Sequence, residues 1–238
     1  MSAAIRYERQ DQIARLTLDD GKVNAMSMPF FQALNAALDQ AESDRAGAVV
    51  ITGRAGIFSA GLNLKVLPTL SSADFQATML AFGRTMLRVF TFPIPTVAAV
   101  SGHAIAGGAM LMFACDLRYV AEGPFRIHLN EVAIGLALPS WAIALAHSAV
   151  PPRWHTEAIL HARLYSPDDA LERGIIDQVV RPADRLLEAA QAAATPLAAF
   201  DPVAYATSKR RHRAMAVKWV SDLLEKEAVA LPSRAGVS

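Results

Sequence analysis

Two short stretches of this sequence set bare backbone against an isolated carboxylate. Ala106-Gly107-Gly108-Ala109-Met110 offers backbone N–H groups without bulky side chains where a helix begins. Ile127-His128-Leu129-Asn130-Glu131-Val132-Ala133-Ile134-Gly135 carries one acidic group into a long apolar run. Free N–H donors and the positive end of the helix dipole favour negative charge at a helix start. A carboxyl group in apolar surroundings is costly to ionise, so its pKa rises towards neutrality, the range useful for accepting and returning a proton. Glu131 is therefore the first catalytic candidate. From spacing alone, the alternative is a strand-end glutamate that is solvated or ion-paired.

Several other chemistries are disfavoured by what the sequence lacks. The spacing Gly102-x4-Gly107-Gly108 has no Lys-Ser/Thr ending, and no G-x-G-x-x-G follows a strand, which argues against nucleotide hydrolysis and dinucleotide redox. Ser59 lies in Gly56-Ile57-Phe58-Ser59-Ala60-Gly61, the wrong interval for a nucleophile elbow. Cys115 is the only cysteine, which rules out an intrachain disulfide and a cysteine-based metal cluster, and core packing is its expected role. The six histidines include no helical H-x-x-x-H pair, so no metal site is expected. His103 and His128 are kept as candidate pocket-lining residues.

Composition narrows the class further. At 238 residues and 53% apolar content the chain has ample material for a large core. With 23 basic and 22 acidic side chains it has no global field to recruit nucleic acid or an anionic membrane. The run Lys209-Arg210-Arg211-His212-Arg213 is the local exception, and a solvated helix face is its favoured reading. Arg6, Glu8, Arg9 and Asp11 stand where a signal peptide needs an apolar core, so a cytoplasmic location is expected. The apolar runs from Thr96 to Cys115 and from Val132 to Val150 are broken by glycines and by Pro139-Ser140, and read as buried strand, turn and helix rather than membrane spans.

The elements that must position these residues alternate between two periodicities. Ile13, Leu16 and Leu18 suit a strand before the Asp19-Asp20-Gly21 turn; Ala48–Thr52, Thr96–Val100 and Leu117–Val120 suit buried strands. Phe30, Phe31, Leu34, Ala37 and Leu38 repeat at helical spacing, as do Phe75, Met79, Phe82, Met86 and Val89. Further helices are expected from Gly107 and from about Ser140, and a turn and strand over Leu171–Val180. This alternation predicts a layered α/β core. The proline-bearing stretch Thr195–Pro202 marks a division into a core over 1–195 and a helical region over 196–238, whose stripe Trp219, Val220, Leu223 and Leu224 needs a partner surface.

Four motifs in order carry a family resemblance: Phe58-Ser59-Ala60-Gly61-Leu62-Asn63-Leu64-Lys65, Ser101–Gly108, Cys115-Asp116-Leu117-Arg118 and Asn130–Gly135. With Ala170–Val180 they cover nearly the whole chain, which resembles the crotonase (enoyl-CoA hydratase/isomerase) superfamily. The resemblance implies a spiral of ββα repeats with a helical C-terminal region that assembles as a homotrimer or a dimer of trimers. It also implies an acyl-CoA thioester as substrate, with coenzyme A belonging to that substrate and no separate cofactor. The thioester enolate would be held by the N–H groups of Leu62 and Gly107, with Glu131 as acid/base. Ala60, Leu62, Asn63 and Leu64 would meet the coenzyme A portion, with Lys22 and Lys65 near phosphate. The Lys209–Arg213 run is a further candidate for the phosphates.

The departure from the family's hydratases is Met110. In those enzymes two acidic residues hold the attacking water, one at the place of Met110 and one at the place of Glu131. A methionine cannot orient or deprotonate water. A single carboxylate can still remove a proton from C2 of a 3-enoyl-CoA and return it at C4 on the same face of the dienolate. The expectation is therefore a 3,2-enoyl-CoA isomerase with Glu131 as proton shuttle. The rivals are a hydratase, with His128 helping to recruit water, an acyl-CoA hydrolase, and an inactive coenzyme A-binding scaffold.

Overall fold

In a computed structural model, which describes residues 5–230, the expected strands Ala48–Thr52 and Thr96–Val100 are buried at every position because both of their faces are covered. β1 (Ile5–Gln10) and β2 (Ile13–Leu18) form an antiparallel hairpin, followed by α1 (Met28–Ser43). Three strand pairs then alternate with helices: β3 (Ala48–Thr52) and β4 (Gly56–Ser59) before α2 (Ser72–Phe90), β5 (Thr96–Val100) and β6 (Gly102–Ile105) before α3 (Gly107–Ala114), and β7 (Leu117–Ala121) and β8 (Ile127–His128) before α4 (Ser140–Ala149). α5 (His155–Ile159), α6 (Pro167–Glu172), β9 (Gln178–Val180), α7 (Leu186–Ala198), α8 (Pro202–Ser221) and α9 (Leu224–Ala230) complete the described chain.

Each repeat gives one strand to each of two sheets. The larger has the order β1-β2-β3-β5-β7-β9, parallel beyond the first hairpin, and the smaller has the order β4-β6-β8. This is the expected α/β spiral of ββα units. Side chains of a strand alternate between faces, so Val49, Ile51, Ala98 and Val100 enter the main core while Ala48, Val50, Val97 and Ala99 pack under α7. α7 therefore belongs to the sheet. It runs through Pro196, and the chain turns at 199–201, past the expected 195/196 division.

The C-terminal stripe also resolves differently from its sequence reading. Val220 and Leu224 are buried in the main core on two successive helices, whereas Trp219 is 45% exposed. β1 and β4 had no clear sequence signal, since β1 is a charged edge strand and β4 has four residues, the first of them Gly56. Among the described residues no helix is long and apolar enough to cross a membrane.

Candidate active site

The smaller sheet brings two of the sequence motifs together. Ser59 ends β4 and is followed by Ala60 and Gly61, and β6 runs parallel to β4 into the Ala106 turn that opens α3. Gly61 has φ +80°, and a β-carbon on it would lie 2.8 Å from the Gly107 nitrogen, so this crossing requires glycine. Gly108 is constrained as tightly, because a β-carbon there would lie 2.2 Å from the Ser59 carbonyl oxygen. Ala106 adopts φ 50° and ψ −117°, a conformation rare for a residue with a β-carbon and of the kind that costs about 1–3 kcal/mol. It is held there by its N–H donating to the His128 carbonyl at 2.9 Å and its own carbonyl accepting from the Met110 N–H at 3.0 Å.

These turns leave two backbone donors unused. Met26 N–H donates to the Gly61 carbonyl, and Asn63 N–H to the Met26 carbonyl, which brackets Leu62 without engaging its N–H. Gly107 is the first residue of α3, ahead of the first intrahelical bond. Neither N–H has an acceptor among the described residues.

Glu131, which lines the same cavity as Leu62, stands at the start of a 3-10 turn over Val132–Ile134. It is 9% exposed, and its Oε2 is buried without a hydrogen-bond partner. Burial pushes its carboxyl up to about 7, against a smaller lowering by its own backbone N–H. The solvated or ion-paired alternative does not hold. The group faces a cavity of about 290 Å³ lined by Leu62, Leu64, Met79, Phe82, Met110 and Trp141 among others. Met110 is 2% exposed and is one of those walls. Phe82 stacks on Phe31 at 5.2 Å and meets the edge of Trp141 at 4.7 Å, which fixes the aromatic side of the cavity.

The sequence-derived candidates separate clearly. Of the residues expected around coenzyme A, Leu62 and Leu64 line the cavity; Ala60 and Asn63 flank them half-buried, and Lys22 and Lys65 are exposed outside it. His103 and His128 do not line it. The His103 Nδ1 accepts the Arg126 N–H at 3.1 Å and its ring packs edge-on to Phe125, while burial holds the half-buried His128 ring below its usual pKa. The basic run is divided: Lys209 and Arg213 turn inward to pair with Asp116 at 2.6 and 2.8 Å, leaving Arg210, Arg211 and His212 exposed. Lys209 and Arg213 are thus not free to meet phosphate. The Cys115 thiol is buried and pushed up to about 12, an inert core group. No cluster of three His, Cys, Asp or Glu side chains suited to a metal ion occurs among the described residues.

Sequence reasoning missed the far wall of the cavity. Leu224, Glu227 and Ala228 of α9 and Ser72, Phe75, Met79 and Phe82 of α2 line it. The α2 stripe was readable as helical but not as pocket lining. Glu227 lies in the charged sequence Glu225-Lys226-Glu227, which carries no signal of enclosure.

The model of the enoyl-CoA hydratase/isomerase family matches residues 8–229. The chain belongs to that family. It is 31% identical to the human mitochondrial enoyl-CoA delta isomerase 1 over 171 residues, 71% of this chain and 57% of the human protein. It thus spans less than two thirds of that relative's length. A putative enoyl-CoA hydratase of Thermus thermophilus is 34% identical, over 80% of this chain and 76% of that protein. Among solved structures, an enoyl-CoA isomerase from Mycobacterium tuberculosis superposes with a TM-score of 0.89 at 34% identity, covering 97% of this chain and 99% of that one. The family therefore includes relatives named for both reactions.

Proposed function

We propose that this protein is an acyl-CoA double-bond isomerase, converting 3-enoyl-CoA to trans-2-enoyl-CoA with Glu131 as the only proton carrier. The observation that carries this reading is a single unpartnered carboxylate, poised near neutrality, in an apolar cavity where Met110 occupies the place of a second acid. Glu131 removes a proton from C2, and the electron pair delocalises over C2, C3 and C4 and onto the thioester oxygen. The unused N–H groups of Leu62 and Gly107 stabilise that oxygen. One such donor contributes roughly 3–4 kcal/mol in the transition state. Return of the same proton to C4 completes the shift, and no water or cofactor enters the balance.

Ala60, Leu62, Asn63 and Leu64 are assigned to the coenzyme A portion, with Lys22 and Lys65 as its exposed phosphate contacts. Assembly as a homotrimer or a dimer of trimers is part of the same reading. The exposed Val203, Met215 and Trp219 of α8 support it, and light scattering that returns a monomer mass rejects it. Hydration is the second reading, favoured by one feature: Glu227 puts a further carboxylate on the cavity wall. That carboxylate is committed to Ser140, however, and is less available to orient water.

The deciding experiment incubates the protein with 3-enoyl-CoA and 2-enoyl-CoA of several lengths and identifies the products. Conversion of the 3-enoyl thioester without water addition is expected. Faster hydration than isomerisation establishes the hydratase instead, free thiol a hydrolase, and tight binding with no turnover a scaffold.

A further inference from the structure

Within the apolar cavity, the polar group farthest in sequence from Glu131 is on the last described helix. Glu227 of α9 accepts the Ser140 N–H at 2.8 Å and also accepts the Ser140 hydroxyl. Ser140 is the first residue of α4, and the residue before it is Pro139, whose side chain cannot cap a helix. Glu227 therefore supplies, from 87 positions away, a cap that the local sequence lacks. The cap closes on the segment that begins at Glu131, whose Ile134, Leu136, Ala137 and Pro139 line the cavity.

On its other side, α9 rests against α2. A β-carbon on Gly83 would lie 2.5 Å from Leu224 Cδ1 and 2.9 Å from Trp141 Nε1, so that glycine admits the close approach of α9 and Trp141. The Arg84–Glu225 pair at 2.9 Å is exposed on both partners and adds little. The hold on α9 is thus the packing of Leu224 and Ala228, 9% and 6% exposed, together with the Glu227–Ser140 contact.

We propose that α9 limits the length of acyl chain the cavity accepts, and that Glu227 is the positioning residue that keeps this wall closed. The inference rests on the acyl-CoA reading of the cavity. At about 290 Å³ the space is at the small end of ligand pockets, which run to roughly 300–1,000 Å³, and it suits a short or medium hydrocarbon tail. A longer tail must displace α9, breaking both contacts to Ser140 and uncovering Leu224. That cost falls on long chains alone, which makes it a source of discrimination rather than of general affinity.

The test is a binding ladder of saturated butyryl-, octanoyl- and hexadecanoyl-CoA measured by calorimetry on the full chain, with melting temperature as the control for folding. The wild type should bind octanoyl-CoA at least about tenfold more tightly than hexadecanoyl-CoA, the effect of roughly two buried methylenes. Glu227→Ala should narrow that ratio several-fold, and Glu227→Gln, whose amide oxygen still accepts the Ser140 N–H, should lie between. Ala228→Phe should act in the opposite sense, lowering octanoyl affinity relative to butyryl by about tenfold. A purely structural role for Glu227 would lower the melting temperature and all three affinities together, leaving the ratios unchanged. That result overturns the proposal, as does a wild type that binds all three chains equally. Absence of binding to any acyl-CoA removes the acyl-CoA reading itself, whereas a length-selective ladder without isomerase turnover rejects the reaction and keeps the wall.

Discussion

Glu131 illustrates how one side chain's setting determines both reactivity and stability. Its carboxyl, raised to about 7 by burial, is about half ionised at neutral pH, which suits the proton-carrying role proposed for it. The isomerase rate, as kcat/KM, should therefore rise as pH increases through about 7 and then level off. A flat profile between pH 5 and 8 would show that Glu131 is not the base. Glu131→Gln should lower turnover at least about 100-fold, the scale of a positioned general base. The same substitution should stabilise the fold at alkaline pH. The native state holds this proton more tightly than an ordinary carboxyl does, so wild-type stability falls as pH rises from about 4.5 to about 7 and stays low above. At pH 8 the neutral variant avoids a penalty of about 3 kcal/mol, and near pH 4 the two proteins should melt together. Equal melting temperatures at both pH values would contradict the buried, unpaired state of this carboxylate. The residue was legible from sequence because a lone acid in a long apolar run is unusual; its lack of a partner was not, since nothing in the run distinguishes a paired acid from an unpaired one.

At the scale of elements, the site is a crossing of two turns that only small residues allow. Gly61→Ala puts a β-carbon at φ +80° and 2.8 Å from the Gly107 nitrogen, so it should separate the two unused N–H groups and lower turnover by at least about tenfold. Free coenzyme A, which has no thioester oxygen, should lose less affinity than catalysis loses rate; equal losses would indicate misfolding. Three residues into α3 from Gly107, Met110→Glu should replace an apolar cavity wall by an acid and produce slow but measurable hydration of a short 2-enoyl-CoA. The gain should be small, because two carboxylates in a dry site repel and nothing there is shaped to hold water between them. No detectable hydration by a variant that still binds coenzyme A would show that Met110 is not what bars the reaction. The larger-sheet strands β3 and β5, which lead into β4 and β6, were readable as largely apolar runs buried on both faces. β4 was not, because four residues with glycine at the start carry almost no periodicity, and their pairing with β6 is set by the spiral rather than by local preference.

For the molecule as a whole, α8, which leads into the cavity-lining α9, is anchored by one anion and two cations whose pairing the sequence did not disclose. Asp116 was read only as a member of the Cys115–Arg118 motif, and Lys209 and Arg213 only as part of a basic run. Folding brings them together because four positions is close to one helical turn, which sets Lys209 and Arg213 on the same face of α8, over the start of β7. Asp116 also accepts from the Thr96 N–H and hydroxyl at 2.8 and 3.0 Å, fixing it to β5. Lys209 is 7% exposed, and burial pulls its ammonium down to about 8 against the raising effect of Asp116. Removing the anion leaves a buried cation without its counter-charge, whereas removing one cation leaves Asp116 paired to the other. Asp116→Ala should therefore cost about 3–5 kcal/mol, while Lys209→Met, which keeps the volume and the Arg213 pair, should lie near zero. Chemical denaturation of both variants at pH 7 checks the asymmetry. Equal losses would mean that α8 is held by packing, and that the route from sheet to cavity wall does not run through Asp116.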